Sequence, residues 1–162
     1  MVEGGAFASL YDEDLYDAPL SDTALLSAVS SGNAPLVAHL LRNRLEMQID
    51  INEVNEKGQT GLIIACSRGF AKLVSFLLQM DANPDLKDRD GYAAVHHCVF
   101  ASAKRSIGVS KAAACVRSLA RFRCNMDRKT ADGRSALHVA VQNSLTDITI
   151  ALKDAGENGR GC

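Results

Sequence analysis

The sequence predicts an all-α repeat solenoid, in which helix-turn-helix units are joined by β-hairpin-type loops and stack in a row. Four segments share one pattern, with a small or hydroxyl residue first, an aliphatic residue third and a small residue sixth. They begin at Thr23, Thr60, Ala93 and Ser135. Each is followed by a second apolar pattern at helical spacing, and a glycine stands two residues before three of them. Repetition at intervals of 33 to 42 residues is typical of stacked repeat units.

The first helix of each unit is predicted from its capping residue and from the turn before it. A side-chain oxygen of Thr23, Thr60 or Ser135 can accept a hydrogen bond from a free backbone N–H of the first turn. The Asp-Gly pairs at 90–91 and 132–133 favour tight hairpin turns, because glycine adopts positive φ without strain. Small residues at the sixth position allow close approach of neighbouring units, and these are Ala28, Ala65, Cys98 and Ala140.

The second helix of each unit is predicted from apolar residues spaced i, i+1, i+4 and i+5, which form one stripe along a helix. In the first two units the stripe consists of Leu36, Val37, Leu40 and Leu41, and of Leu73, Val74, Leu77 and Leu78. In the last two units it consists of Cys115, Val116 and Leu119, and of Ile148 and Leu152.

In these motifs the chain resembles the ankyrin-repeat family, whose pattern runs Gly-x-Thr-Pro-Leu-His-x-Ala, a glycine, a Leu-Leu helix and Gly-Ala-Asp-x-Asn. The second unit keeps Gly58, Thr60, Leu62, Ala65, Gly69, Leu77, Leu78 and Ala82, and the fourth keeps Gly133, Leu137, His138 and Ala140. The resemblance implies an ankyrin-repeat domain over about residues 22–157, with repeats at 22–55, 56–88, 89–130 and 131–157. An acidic leader of residues 1–21 precedes it, and a short tail of residues 158–162 follows.

The chain departs from the family pattern at the ends of its helices and in its spacing. The glycine that ends the second helix is replaced by Gln48, Asp81 and Arg123, so we expect left-handed backbone there at a cost of about 1 kcal/mol each. Two insertions interrupt the period, about four residues near Arg44–Met47 and about nine between the helices of repeat three, around Ala101–Ser110. Such insertions are either tolerated surface loops or binding segments.

Composition and motifs argue against several other classes of protein. The net charge is −1 and there is no Trp, so a base-stacking nucleic-acid platform is not expected. No apolar run has the length of a membrane span, and no phosphate-binding loop, nucleophile elbow or zinc-protease motif is found. Five cysteines without an export signal indicate reduced thiols and a cytoplasmic location, with a nuclear or cytoskeleton-associated one as the alternative. We therefore expect no enzyme activity, no cofactor and no membrane partner.

The run His96-His97-Cys98 is interpreted as structural and not as a metal site. By the resemblance, His96 and His138 occupy the ankyrin histidine position, where the imidazole hydrogen-bonds to nearby backbone. No second ligand pair at zinc spacing accompanies the run, so we predict no metal. The other cysteines expected at packing positions are Cys66, Cys115 and Cys124.

By the resemblance, partners are expected to bind the hairpin tips and the exposed face of each first helix. The corresponding residues are Glu56, Lys57, Gln59, Ser67 and Arg68 in repeat two, Arg89, Asp90, Tyr92 and Phe100 in repeat three, and Asp132, Arg134, Gln142 and Asn143 in repeat four. Tyr92 and Phe100 are the expected anchors, because aromatic residues are enriched in binding hot spots. Burial of Phe100 beneath the insertion is the alternative.

Charge is distributed unevenly along the chain. Residues 1–22 contain six acidic residues and no Lys or Arg, and the acidic leader includes Asp12, Glu13, Asp14 and Asp17. The third repeat is basic, with Lys104, Arg105, Lys111, Arg117, Arg121 and Arg123. These basic residues form either a solvated outer face or a patch that binds an acidic partner or the chain's own leader.

Together these features predict a non-catalytic adaptor or scaffold, monomeric in isolation, that binds one or more proteins. A structural subunit of a cytoskeletal or axonemal assembly is one version of this hypothesis. The alternative is an ankyrin-type inhibitor or regulator of a kinase or a transcription factor. A cysteine-based redox sensor or enzyme is a remote alternative, and nucleic-acid binding is not expected.

Overall fold

The computed structural model describes residues 24–122, 128–130 and 132–159, which contain eight helices in four consecutive pairs. The first helices of the pairs are α1 (Ala24–Ser30), α3 (Gly61–Arg68), α5 (Ala94–Ala103) and α7 (Ala136–Gln142). The second helices are α2 (Ala34–Arg42), α4 (Ala71–Gln79), α6 (Val109–Arg121) and α8 (Thr146–Gly159). None of these helices is both long and apolar enough to cross a lipid bilayer. The predicted all-α repeat solenoid of helix-turn-helix units is confirmed.

The first helices begin where the hydroxyl residues of the repeat predict. The Thr60 Oγ1 atom accepts a hydrogen bond from the Ile63 N–H at 3.2 Å, and the Ser135 Oγ atom accepts one from the His138 N–H at 3.4 Å. Each bond satisfies a backbone donor that the helix itself leaves unpaired. Repeat three has Ala93 at this position and no hydroxyl, and a histidine described below takes over part of the capping. Thr23 lies outside the described residues.

The four pairs stack in two layers around one continuous apolar core. The first helices pack against one another in chain order, and α4, α6 and α8 pack in the same way in the second layer. The small sixth-position residues Ala28, Ala65, Cys98 and Ala140 are at most 2% exposed. A larger side chain at any of them would overpack a layer interface, at a typical cost of about 1–3 kcal/mol.

Hairpins project from one edge of the stack, where each unit is joined to the next. Isolated antiparallel bridges pair Val54 with Thr60 and Lys129 with Ser135. The glycines two residues before the capping positions of the first helices adopt positive φ, as the hairpin prediction requires, and they are Gly58, Gly91 and Gly133. The Arg89 N–H donates to the Lys57 carbonyl at 3.0 Å, so successive hairpins are linked through their backbones.

The insertion in repeat one lengthens the exit from α2 and leaves the helix itself unchanged. The helix ends at Arg42, and residues 43–48 form turns that end at Gln48 with a φ of 54°. The corresponding Asp81 has a φ of 72°, which confirms the expected left-handed backbone at both positions, whereas Arg123 lies outside the described residues. The Arg44 Nη1 atom donates to the Met80 carbonyl at 2.8 Å, so the inserted turns are tied to repeat two.

The insertion in repeat three is partly helical. In repeat two, the residue with left-handed backbone that follows the first helix stands nine positions after the capping residue Thr60. In repeat three the corresponding residue is Arg105, which stands twelve positions after Ala93. Helix α5 therefore extends to Ala103, and α6 begins at Val109, so both helices enter the segment predicted to lie between them. Only residues 104–108 remain as a connecting turn. Ile107 of this turn is half-buried and packs against the core.

Candidate partner-binding surface

A carboxylate in the third hairpin fixes the geometry of repeat three. The Asp88 Oδ1 atom accepts hydrogen bonds from the Tyr92 N–H at 2.9 Å and the Asp90 N–H at 3.0 Å. The Asp88 Oδ2 atom accepts a hydrogen bond from His97 Nε2 on α5 at 2.8 Å. The side chain of Asp88 is 3% exposed and that of His97 is 15% exposed. This carboxylate therefore joins the hairpin to the first helix.

From the sequence, His97 is identified only within the structural run His96-His97-Cys98 and its bond to Asp88 is not predicted, although a signal for Asp88 is present. Asn55, Asp88 and Thr130 each stand three residues before a hairpin glycine. Each accepts a hydrogen bond from the backbone N–H four residues ahead, with N–H to oxygen distances of 3.0, 2.9 and 3.3 Å in that order. Short polar side chains of this kind stabilise turns by bonding to their own backbone. His97 carries no comparable signal, because its partner is set by how α5 packs against the hairpin.

Two aromatic rings lie beside this anchored turn. The Tyr92 ring is edge-on to Phe100, with ring centroids 4.9 Å apart and an interplanar angle of 74°. It also contacts His97 edge-on, at a centroid distance of 6.1 Å. Tyr92 and Phe100 are both half-buried, and Phe100 packs against the core. Phe100 is therefore neither a fully exposed anchor nor fully buried beneath the insertion, because one side of its ring packs against the core and part of its surface stays exposed.

Apart from Tyr92, the predicted hairpin-tip residues are exposed, with one exception. Their exposed members are Glu56, Lys57, Arg89, Asp90, Asp132 and Arg134. Gln59 is half-buried, because its Oε1 atom accepts a hydrogen bond from the Asn55 side-chain amide at 3.3 Å. In repeat four the Arg134 guanidinium lies 3.3 Å from the Asp132 carboxylate, an exposed pair of the kind that adds little stability.

The predicted first-helix residues lie near the ends of their helices. Arg68 is exposed at the end of α3, and Gln142 is exposed at the end of α7. Asn143 follows α7, and its side-chain amide donates to the Val139 carbonyl at 2.8 Å, so it also caps that helix. We refer to the exposed hairpin-tip and first-helix residues of repeats two to four, together with Tyr92 and Phe100, as the recognition surface.

His96 is a buried structural residue, as the resemblance implies. Its Nδ1 atom accepts a hydrogen bond from the Ala93 N–H at 3.0 Å, and its Nε2 atom donates to the Arg128 carbonyl of the next hairpin at 2.9 Å. Burial lowers the pKa of the imidazole below its ordinary value of 6.5, which favours the neutral form that makes both bonds. No group of three potential metal ligands comes together within the described residues.

The cysteines of the described residues are packed in the core. Cys66, Cys98 and Cys115 are all fully buried and free of disulfides. The hydrogen bond with Cys98, together with burial, raises the pKa of the Cys115 thiol, so thiolate formation there is strongly disfavoured. All three positions therefore lack the exposure of a reactive thiol, and at Cys115 the raised pKa adds to this. Cys124 and Cys162 lie outside the described residues.

The basic residues of repeat three are distributed over two separate places. Lys104 and Arg105 lie in the connecting turn, and Lys111 lies near the start of α6. Arg117 and Arg121 lie towards the end of α6, beside a shallow groove that also contains Asp154 of α8. Ten residues of helix separate Lys111 from Arg121, a distance of about 15 Å along the axis. Arg123 and the acidic leader residues Asp12, Glu13, Asp14 and Asp17 lie outside the described residues.

Comparison with known proteins identifies the class of protein that this fold and surface define. A sequence profile described as "Ankyrin repeats (3 copies)" matches residues 6–88 and 25–108. The chain belongs to the ankyrin-repeat family. Ankyrin repeats are protein–protein interaction modules, and the fold is typically non-catalytic.

Particular relatives agree with this assignment. The chain is 31% identical over 83 residues to the Notch-regulated ankyrin repeat-containing protein of Homo sapiens, covering 51% of this chain and 73% of that protein. It is 32% identical over 119 residues to the human Ankyrin repeat domain-containing protein 63, covering 74% of this chain but only 30% of that protein.

A solved structure shows the same fold. The chain superimposes on a crystal structure of an ankyrin repeat domain from Acinetobacter baumannii AYE with a TM-score of 0.76 at 20% identity. The match covers 94% of this chain and 74% of that one.

Proposed function

We propose that the chain is a non-catalytic adaptor that captures a partner protein on the recognition surface, with repeat three at its centre. The observation that supports this proposal is the Tyr92–Phe100 pair, which is partly exposed and held in place by the Asp88 carboxylate. Arg89, next to Asp88 in the chain, is exposed. Aromatic and arginine side chains of this kind supply much of the binding free energy at protein interfaces.

The arrangement favours binding because it is formed before a partner arrives. The hydrogen bonds of Asp88 fix the turn that carries Tyr92, and the core fixes one side of Phe100. Little conformational entropy is then lost when a partner covers the two rings. The proposal includes a cytoplasmic, monomeric protein. The scaffold and the inhibitor or regulator versions use the same surface and differ in the partner that it binds.

The test is capture of partners from the native lysate on the immobilised chain, measured by quantitative mass spectrometry. The variant is the double substitution Arg89→Ala and Tyr92→Ala. Truncation of two hot-spot residues typically costs at least about 2 kcal/mol in total, so we expect at least a tenfold loss of the enriched partners. The far-UV circular dichroism should not change, since neither side chain caps a helix.

The matched control is the double substitution Arg117→Ala and Arg121→Ala, which removes two exposed side chains from the second-helix layer. Capture by this control should remain within about twofold of the native chain. Unchanged capture by the Arg89/Tyr92 variant would refute the proposal. Loss in the Arg117/Arg121 control without loss in the Arg89/Tyr92 variant would place the binding site on the basic residues of α6 instead.

A further inference from the structure

A pocket at the edge of the stack opposite the hairpins belongs to neither the hairpin tips nor the aromatic pair. It has a volume of about 370 Å³ and lies where the connecting turns of repeats two and three meet. Its lining consists of Ser67, Arg68 and Phe70 from repeat two and Ser106 and Ile107 from repeat three. Helix α3 has eight residues, so this edge is about 12 Å from the hairpins.

The long connecting turn of repeat three creates this pocket. In repeat two the turn is short, and the Phe70 ring covers Gly32 of repeat one, where an added Cβ would lie 3.1 Å from the ring. In repeat three Ile107 covers Gly69 in the same way, at 3.3 Å from such a Cβ. The residues added before Ile107 place Ser106 beside Ser67 and Arg68, which closes the pocket from that side.

The rim of the pocket is cationic. Arg68 lines it, Arg105 immediately precedes the lining residue Ser106, and the Cβ atom of Lys111 lies 3.2 Å from the Cβ position of Gly69, next to the lining residue Ile107. All three cations are exposed, and none forms an ion pair with another described residue. No acidic side chain is among the lining residues. Three cations without an ion-pair partner around one pocket give it a positive potential, which favours the binding of an anion.

The remaining lining residues indicate what kind of anion fits. Phe70 and Ile107 supply an apolar floor, and the Ser67 hydroxyl donates to the Ile64 carbonyl at 2.8 Å, which leaves its oxygen able to accept. A free carboxylate would use the cations and leave the apolar floor uncovered. A peptide in which carboxylates alternate with apolar side chains matches both parts of the pocket.

We propose that this pocket is a binding site for an acidic, partly apolar peptide segment, and that its occupant is residues 11–17 of this chain. That segment reads Tyr-Asp-Glu-Asp-Leu-Tyr-Asp, and no Lys or Arg occurs in residues 1–22. It supplies four carboxylates next to one leucine and two tyrosines, which is the chemistry that the rim and the floor require. This inference goes beyond the proposed function, because the pocket shares only Arg68 with the recognition surface, whose hairpin tips and aromatic pair do not line it.

The tether is long enough for this contact. Asp17 and Asp12 precede Ala24 by seven and twelve residues, and an extended chain of those lengths spans about 23 to 40 Å. The pocket lies between one and two units along the stack from α1, with packed helices about 10 Å apart, and on the edge about 12 Å from the hairpin-side start of α1, so the straight-line distance is about 16 to 23 Å. A segment held on so short a tether has an effective concentration on the order of millimolar, so weak contacts are sufficient.

The first experiment is zero-length carbodiimide cross-linking of the full chain, with the cross-links mapped by mass spectrometry in the monomer fraction. We expect Lys104 and Lys111 to be joined to carboxylates of residues 12–17. Lys57 at the hairpin edge and Lys153 on α8 are internal controls that should not be joined to them. Leader cross-links spread equally over all four lysines, or none at all, would overturn the proposal.

The second experiment compares amide NMR shifts of the full chain with those of a leader-neutralised variant, Asp12→Asn, Glu13→Gln, Asp14→Asn and Asp17→Asn. Shifts should concentrate at Gly69, Ser106 and Ile107 and should shrink in about 0.5 M NaCl, because screening weakens exposed charge contacts. The matched control is Asp147→Asn with Asp154→Asn, which removes charge from α8 and should leave these three amides unchanged.

A synthetic peptide of residues 8–20, added to the leader-neutralised variant, measures the site directly. We expect its affinity to fall at least tenfold when Arg68→Gln and Lys111→Gln are introduced. Binding of the peptide without any intramolecular cross-link in the full chain would overturn the leader as occupant and indicate an acidic segment of a partner. Loss of partner capture by the Arg89/Tyr92 variant would be unaffected by either result, so the two proposals fail independently.

Discussion

The two histidines at the same position of the repeat allow a sharp test of how the stack is held together. His96 is buried and connects two units, because it accepts from Ala93 and donates to the Arg128 carbonyl of the next hairpin. His138 is exposed; its Nδ1 atom accepts the Ser135 N–H at 3.1 Å, and no described residue pairs with its Nε2 atom. We predict that replacing each histidine by alanine has very different costs.

The expected magnitudes follow from the contacts. His96→Ala leaves the fully buried Ala93 N–H without its acceptor, a loss of about 1–3 kcal/mol, and removes a ring from the core, where large-to-small changes cost about 2–5 kcal/mol. These losses overlap, and we expect a total of about 3–5 kcal/mol. His138→Ala removes the exposed contacts of Nδ1 with the N–H and Oγ of Ser135 and should cost about 1 kcal/mol.

The assay is urea unfolding followed by far-UV circular dichroism, with the free energies of unfolding compared at one pH and one salt concentration. The two variants delete the same side chain from the same position of the motif, so each is the control for the other. A difference of less than about 1 kcal/mol between them would refute the reasoning, since the link from His96 to the next hairpin would then contribute nothing measurable.

Three further results are expected. Lowering the pH from about 7.5 to about 5.5 should reduce the free energy of unfolding, because burial holds the pKa of His96 below 6.5 and the unfolded chain therefore binds the proton at a higher pH than the native chain. Urea denaturation at several pH values should show that the free energy of unfolding of His96→Gln depends less steeply on pH. Gly69→Ala should cost about 1–3 kcal/mol more than Gly133→Ala in the same unfolding assay. Both glycines have a φ between 75° and 78°, but only at Gly69 would a Cβ meet other atoms, so equal losses would contradict this account. A thiol reagent followed by peptide mapping should leave the three buried cysteines unmodified in the native chain and modify them in urea; rapid native modification would contradict their burial.

The repeat pattern predicted the features that depend on local sequence. The caps formed by Thr60 and Ser135 require only a hydroxyl at the helix start. The left-handed backbone at Gln48 and Asp81 follows from their place in the motif, where the family has glycine. Such features involve residues at most a few positions apart, so the order of residues along the chain is sufficient to place them.

The features that the sequence left open depend on how helices pack against the hairpins and against the core. The Asp88–His97 bond forms because α5 packs against its own hairpin, and Phe100 is half-buried because of how that helix lies on the core. Lys111 and Arg121 belong to one basic stretch, yet their helix holds them about 15 Å apart along its axis. Distances of this kind are set by packing and not by sequence spacing alone.

By itself the sequence determined the family, the order of the helices and the hairpin-tip residues, because each unit repeats the same short-range pattern. Only the tertiary structure decided which of these residues act together. The aromatic pair forms where a helix packs beside its hairpin, and the pocket forms where the connecting turns of two stacked units meet. Stacking is driven by burial of apolar surface, which fixes how closely units approach without leaving a local mark in the sequence.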